Sequence, residues 1–252
     1  MSDGIYSALS GAIAQERTLS VVANNVANTN TTGYKADKTV FAEVMGKVQS
    51  KLPTAPSLRY GAVAGLSMDN QSGALHQTGR TLDVALQGDG YFTLLTPQGE
   101  RYTRAGAFML DRDGVLRTPS GHMVMQETGS PSKPTDKIVI PPTAHSIGIS
   151  PDGSLSADGQ PLAKLKLVRF ANPDDIVRDG LTLFAAQPGV KPLAVEPTTS
   201  VEQGFLESAN VNAVTGMNEL ITLHRSFDAL QKVIDTFRQL DDRTARDVGG
   251  RV

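Results

Sequence analysis

Two stretches at opposite ends of the chain carry a helical period, and the stretch between them alternates with a period of two. From Asp3 to Asn28 apolar residues recur at Ile5, Leu9, Ala12, Leu19, Ala23 and Val26, with Glu16 as the one polar interruption. Steps of three and four draw a stripe down one face of an α-helix. Small residues (Ala8, Gly11, Ala14, Ala27) occupy much of the rest of that segment, so close neighbours are expected on several sides. At the far end Leu220, Leu223, Phe227, Leu230, Ile234 and Phe237 follow a strict three-four heptad, and Met217, Ile221, Val233 and Leu240 widen the apolar face. A helix over roughly 212–247 would be about 50 Å long, and heptads call for a partner helix. The other strong stripe is the N-terminal one, so the two termini are expected to pack together as a coiled coil.

Between them, roughly from Leu82 to Phe184, short alternating runs such as Tyr91–Leu95, Lys137–Ile140 and Ala163–Val168 are punctuated by turn signals. Gly88-Asp89-Gly90, Asp111-Arg112-Asp113-Gly114, Asp152-Gly153 and Asp158-Gly159 supply residues that tolerate positive φ, which hairpins require. The reading is an α+β chain: long N- and C-terminal helices packed as a coiled coil, plus a central antiparallel β-rich domain of sandwich or irregular-barrel type. The expected divisions are 1–35 (N-terminal helical segment), 36–81 (extended connector, rich in Pro, Gly, Ser and Gln), 82–200 (β-rich domain) and 201–252 (C-terminal helix).

Composition removes several classes of function. A formal net charge of −2 offers no basic surface for nucleic acid or anionic lipid. No cysteine is present, which removes disulfides, thiolate metal sites and cysteine nucleophiles. No apolar run reaches membrane-spanning length, so direct membrane insertion is not expected, and the first residues do not read as a cleaved signal peptide. The histidines His76, His122, His145 and His224 are not in metal-ligand spacing. Asp111–Gly114 begins like a calcium loop but lacks the later bidentate carboxylate. No nucleophile elbow or phosphate loop occurs. No catalytic residue, metal site or cofactor is expected, and the chain does not read as an enzyme.

The most specific segment is Ala23-Asn24-Asn25-Val26-Ala27-Asn28-Thr29-Asn30-Thr31-Thr32-Gly33-Tyr34-Lys35, where asparagines and threonines cluster as the first helix ends. Asparagine amides satisfy orphan carbonyls at such an end, and Gly33 suits a left-handed turn. The plain reading is a capped helix and loop; the sharper one is a polar joint between subunits. This run resembles the signature of flagellar rod and hook proteins, A-N-N-x-A-N followed by T-x-G-[YF]-[KR]. Further stretches are similar to motifs of the same family in the same order. They are Leu86–Phe92, Tyr102–Phe108, Phe170–Pro173 with Gly180–Phe184, and Gly204–Asn212. Thr182 and Ala209 stand where the family pattern has asparagine and serine.

The resemblance implies a structural subunit that stacks helically into the rod of the flagellar basal body and carries torque from motor to hook. The length of the tail past the last heptad favours the proximal-rod type over the distal-rod type. It further implies export through the flagellar type III apparatus without signal cleavage, a location in the periplasm-spanning rod, and partners in further copies and neighbouring rod proteins. The residues expected to carry subunit packing are Ile5, Leu9, Leu19, Val26, Asn24, Asn25, Asn28, Gly33, Tyr34, Asn210, Asn212, Leu220, Leu223, Phe227, Leu230, Ile234 and Phe237. A β-sandwich binding module with helical dimerisation arms is the alternative, and a periplasmic hydrolase a third.

Overall fold

In the computed structural model, residues 2–46, 58–127 and 137–249 are described. The chain divides into two units, one of Met1–Ala27, Asp37–Ser67 and Asn212–Val252, the other of Asn28–Ala36 and Met68–Val211. It therefore passes between units at 27–28, 36–37, 67–68 and 211–212.

The first unit holds α1 (Ser2–Ala27), strands β1 (Asp37–Gly46) and β2 (Leu58–Met68) paired in a two-stranded sheet, and α2 (Ala213–Gly249). Asn212 starts α2: its Oδ1 accepts from the backbone N–H groups of Val214 and Thr215 at 3.0 and 3.1 Å. That satisfies two of the donors every helix leaves unpaired at its first turn. With 37 residues α2 is about 55 Å long.

The expected coiled coil is contradicted. Among the described residues there is one N-terminal and one C-terminal α-helix of unequal length beside a β-rich remainder, and no long coiled-coil pair. The two helices touch by setting large side chains over glycines. A β-carbon on Gly11 would lie 3.7 Å from Leu230 Cδ1, and one on Gly216 only 2.5 Å from Val26 Cγ2. Leu9, on the expected seam, is 44% exposed and Ala23 is also exposed, whereas Val22, which the stripe omitted, is buried. A seam of interlocking knobs needs side chains of similar reach on both helices. Gly11 on α1 and Gly216 on α2 each receive a large side chain from the other helix instead.

The second unit is the β-rich one. Residues 36–81, expected as an extended connector, carry β1, β2 and β3 (Leu75–Gln77), and 47–57 within them lies outside the described residues. Next come β4 (Val84–Gln87), β5 (Tyr91–Thr96) and β6 (Gly99–Thr103). β5 and β6 form the middle of the largest sheet described, flanked by Leu183–Ala186 on one side and Met123–Val124 on the other. β3 pairs antiparallel with Phe205–Glu207, and β4 with Ser200–Gln203. Thus the segment that leads to α2 is built into the β unit first.

The turn signals divide by outcome. Asp111–Gly114, Asp152-Gly153 and Asp158-Gly159 each lie between strands that pair antiparallel. Gly88-Asp89-Gly90 instead carries the chain from β4 to β5, which belong to different sheets. One buried apolar cluster centres on Val84, Phe92, Leu94, Phe108, Leu116, Ile138 and Leu155. A second gathers Tyr91, Tyr102, Val168, Ile176 and Phe184, with edge-to-face ring contacts such as Tyr91 to Phe184 at 5.7 Å.

Candidate functional site

Within the second unit, the quoted motifs meet at a buried charged junction. Gly33 has φ +69°, and its N–H donates to the Glu207 carbonyl at 2.8 Å. A β-carbon there would stand 2.2 Å from the Ala105 nitrogen, so the backbone of the first motif lies directly against that of Arg104 and Ala105. The next two side chains turn inward. Tyr34 is buried, with the Arg178 guanidinium 4.8 Å from its ring centroid. Arg178 also donates to the Lys35 carbonyl.

Lys35 and Glu207 form an ion pair at 2.7 Å, each side chain 1% exposed. Lys35 Nζ further donates to the Gln71 carbonyl at 2.8 Å, and the Gly73 N–H donates to Glu207 Oε1 at 2.9 Å. From the other side Arg104 Nη1 reaches Glu207 Oε2 at 3.2 Å. Its Nη2 donates to the Gly88 carbonyl at 2.7 Å, and its guanidinium lies 5.4 Å from the Tyr91 ring centroid. One carboxylate thus holds two cations, and backbone carbonyls and a ring face take up more of their hydrogen-bonding and charge, while Arg104 Nε is buried without a hydrogen-bond partner. Burial lowers the Lys35 pKa, opposed by the nearby Glu207 carboxylate. Burial also pushes the Tyr91 phenol up to about 12, so it stays neutral at physiological pH.

Asparagines pin the chain where it passes between units. Asn25 makes both amide bonds to one residue, donating to the Asp37 carbonyl at 2.8 Å and accepting from the Asp37 N–H at 3.0 Å. Asn210 accepts from the Ala36 N–H at 2.7 Å and donates to the carbonyls of Asp69 and Gln71 at 2.9 and 3.1 Å. Asn28 Oδ1 accepts from the Thr31 hydroxyl, and Asn212 caps α2. Asn24 is exposed.

The expected packing residues therefore separate. Gly33 and Tyr34 are interior to the second unit, while Asn25, Asn210 and Asn212 have side-chain bonds within the chain. Leu19, Val26, Leu220, Leu223, Phe227, Leu230 and Phe237 are half-buried and Ile234 is buried. Leu9 is exposed, and the side chain of Ile5 lies outside the described residues. Ile13 on α1 and Val214, Met217, Ile221, Val233 and Leu240 on α2 are also exposed, an apolar surface without cover in the single chain. The expectations did not single out Lys35, Arg104, Glu207 and Arg178. The first three were legible in one respect: each is the one charged residue of its motif.

Nothing in this geometry performs chemistry. The charged groups face one another and the backbone, and no group of three or more His, Cys, Asp or Glu suited to a metal occurs among the described residues. None of the described helices is long and apolar enough to cross a membrane.

Three family models match the chain in order: Flagella basal body rod protein over residues 5–35, Flagellar hook protein FlgE/F/G D1 domain over 85–157, and Flagellar basal body rod FlgEFG protein C-terminal over 202–247. The flagellar basal-body rod protein FlgF of Rhizobium meliloti (strain 1021) is 33% identical over 252 residues, covering 99% of both chains. This chain belongs to the flagellar basal-body rod protein family. FlgF of Mesorhizobium japonicum is 30% identical with all of both chains covered. FlgG of Bacillus subtilis (strain 168) is 33% identical, covering 94% of this chain and 95% of its own. As a member of that family the chain is a structural subunit of the rod and not an enzyme. Its place is the flagellar basal body, where it assembles with other rod components. The charged junction joins parts of all three matched regions: Lys35 from the first, Arg104 from the second and Glu207 from the third.

Proposed function

We propose that this chain is a proximal-rod subunit of the FlgF type, which polymerises helically into the periplasm-spanning drive shaft and passes torque toward the hook. The observation that carries the choice is how the relatives align. The FlgF proteins of R. meliloti and M. japonicum run alongside this chain for 252 and 251 residues, leaving almost none of it or of themselves unmatched. The B. subtilis FlgG alignment extends over 262 positions, more than the 252 residues of this chain, while covering only 94% of it. A FlgG-type chain therefore carries segments for which this one has no counterpart. The distal-rod reading draws its support from an equal identity of 33%.

A shaft in torsion needs subunits whose parts do not slip. The junction of Lys35, Arg104 and Glu207 supports this reading, because it ties three separate stretches of the β unit by buried charge. The exposed apolar rows of α1 and α2 are the surfaces proposed for packing, with Leu9, Ile13, Val233 and Leu240 among them. Export through the flagellar type III apparatus belongs to the same reading.

The test is deletion of this chain in its own organism, followed by isolation of the basal bodies that remain. The expected result is loss of swimming, with basal bodies that lack FlgG as well, since a distal layer cannot form on a missing proximal one. Normal swimming contradicts the rod role. FlgG retained in the rod without this chain contradicts the proximal assignment alone.

A further inference from the structure

Three stretches of the β unit, 33–36, 69–77 and 205–210, bond largely to one another. The Gly33 N–H donates to the Glu207 carbonyl at 2.8 Å, the Asp69 N–H to the Ala36 carbonyl at 2.8 Å, and the Ser208 N–H to the Ala74 carbonyl at 2.9 Å. The Asn210 amide joins all three, bonding to Ala36, Asp69 and Gln71. Among the described residues, neither apolar cluster includes a member of these stretches. The core is therefore complete without them, and what holds them is polar and mutual.

They differ in how they are drawn to their places. β4 pairs with Ser200–Gln203, whose Val201 belongs to the first apolar cluster, so 205–210 are brought in as that core forms. Phe205–Glu207 then pair with β3. This route seats Glu207 beside Arg104, which directly follows β6. The stretch 28–36 has no such lead. Before it comes α1 and after it come β1 and β2, which belong to the other unit apart from Met68. Lys35 reaches Glu207 across 172 positions of sequence, and contacts so distant form late.

Charge makes the order strict. Glu207 with Arg104 alone is a balanced pair. Lys35 buried beside Arg104 without the carboxylate would bring two cations together out of water. We infer that residues 28–36 form a strap that is synthesised first and docks last, closing only onto a β unit in which Glu207 is already seated on Arg104. The β unit thus has a state with its core formed and its strap open, distinct from the unfolded chain. A chain that ends short of Glu207 cannot close the strap, so the junction seals only when synthesis has passed that residue.

The test is pulse-labelled hydrogen exchange during refolding of the full chain from denaturant, resolved to single amides by fragmentation mass spectrometry. The core amides of Leu116, Met125 and Ile140, which donate to carbonyls of the β unit, should become protected first. Those of Gly33 and Ala36 should follow in a later phase. Protection of Gly33 and Ala36 in the same phase as the core, or before it, overturns the inference. Equilibrium exchange on native variants decides the matter for a chain that does not refold. Glu207→Gln keeps the size and a carbonyl acceptor and removes the charge. It should speed exchange at Gly33 and Ala36 about a hundredfold, as breaking one side of a buried pair does, with Leu116 and Ile140 unchanged. Adding Lys35→Met removes the cation that needs the carboxylate and should return most of the protection at Ala36, whose acceptor is Asn210. A double variant no better protected than the single overturns the inference. So does loss of protection at strap and core alike, or failure of Glu207→Gln to fold, because strap and core would then open as one.

Discussion

At the scale of single residues, Glu207 is the one most of the junction depends on. Removing its carboxylate leaves Lys35 and Arg104 buried without their counter-charge. Breaking one side of such a pair costs about 3–5 kcal/mol. Glu207→Ala should therefore lower the denaturation midpoint of the protein sharply, whereas Glu100→Ala, removing a partly exposed partner of Lys166, should cost under about 1 kcal/mol. Equal, small effects of the two would mean that the buried cluster contributes no more than a surface pair. Lys35 adds a dependence on pH. Burial lowers its pKa below the ordinary 10.5, so just below 10.5 the unfolded chain binds more protons than the folded one. This group's contribution is fully present above 10.5 and is lost as pH falls through the folded value. Melting curves through that alkaline window should show a rise in stability with pH that Lys35→Met removes; an unchanged slope in the variant contradicts the assignment. The residues of this cluster were visible in the sequence as motif letters, but their meeting was not. Nothing local says that positions 35, 104 and 207 share a space, because β-strand pairings of high sequence separation bring them there.

At the scale of elements, the ends of the chain were legible and their packing was not. The three-four spacing located both helices, since periodicity depends only on which face is apolar. The coiled coil failed because the stripe says nothing about side-chain size. Gly11 lies under Leu230 and Gly216 lies against Val26, so at these contacts a large side chain meets a glycine instead of a knob of similar reach. In the β unit, Asp-Gly turns were sound guides where their flanking strands share a sheet. They misled at Gly88–Gly90, where the following strand pairs elsewhere. The asparagines stood out in the sequence as a group, and Asn25 and Asn210 put both amide atoms into bonds within the chain. Asn212 is the simplest to test. Its side chain caps the first turn of α2, and Asn212→Ala should cost about 1 kcal/mol of stability while Asn212→Asp costs little. An alanine variant as stable as the parent would show that α2 is held by its packing alone.

At the scale of the whole molecule, the chain is a structural subunit with much structure to hold. Its motifs converge on a buried charged junction in the β unit, and its helices keep apolar rows exposed. That combination suits a part whose task is to stay rigid and be covered by neighbours. The most direct test of this account is a cryo-EM map of hook–basal bodies from the native organism, with this sequence fitted against each layer of the rod. The account predicts side-chain density for this chain in the membrane-proximal layers, in copies related by a helical operator. Density for it in the distal layers would keep the structural role and contradict the FlgF assignment, and its absence from every layer would contradict the account as a whole.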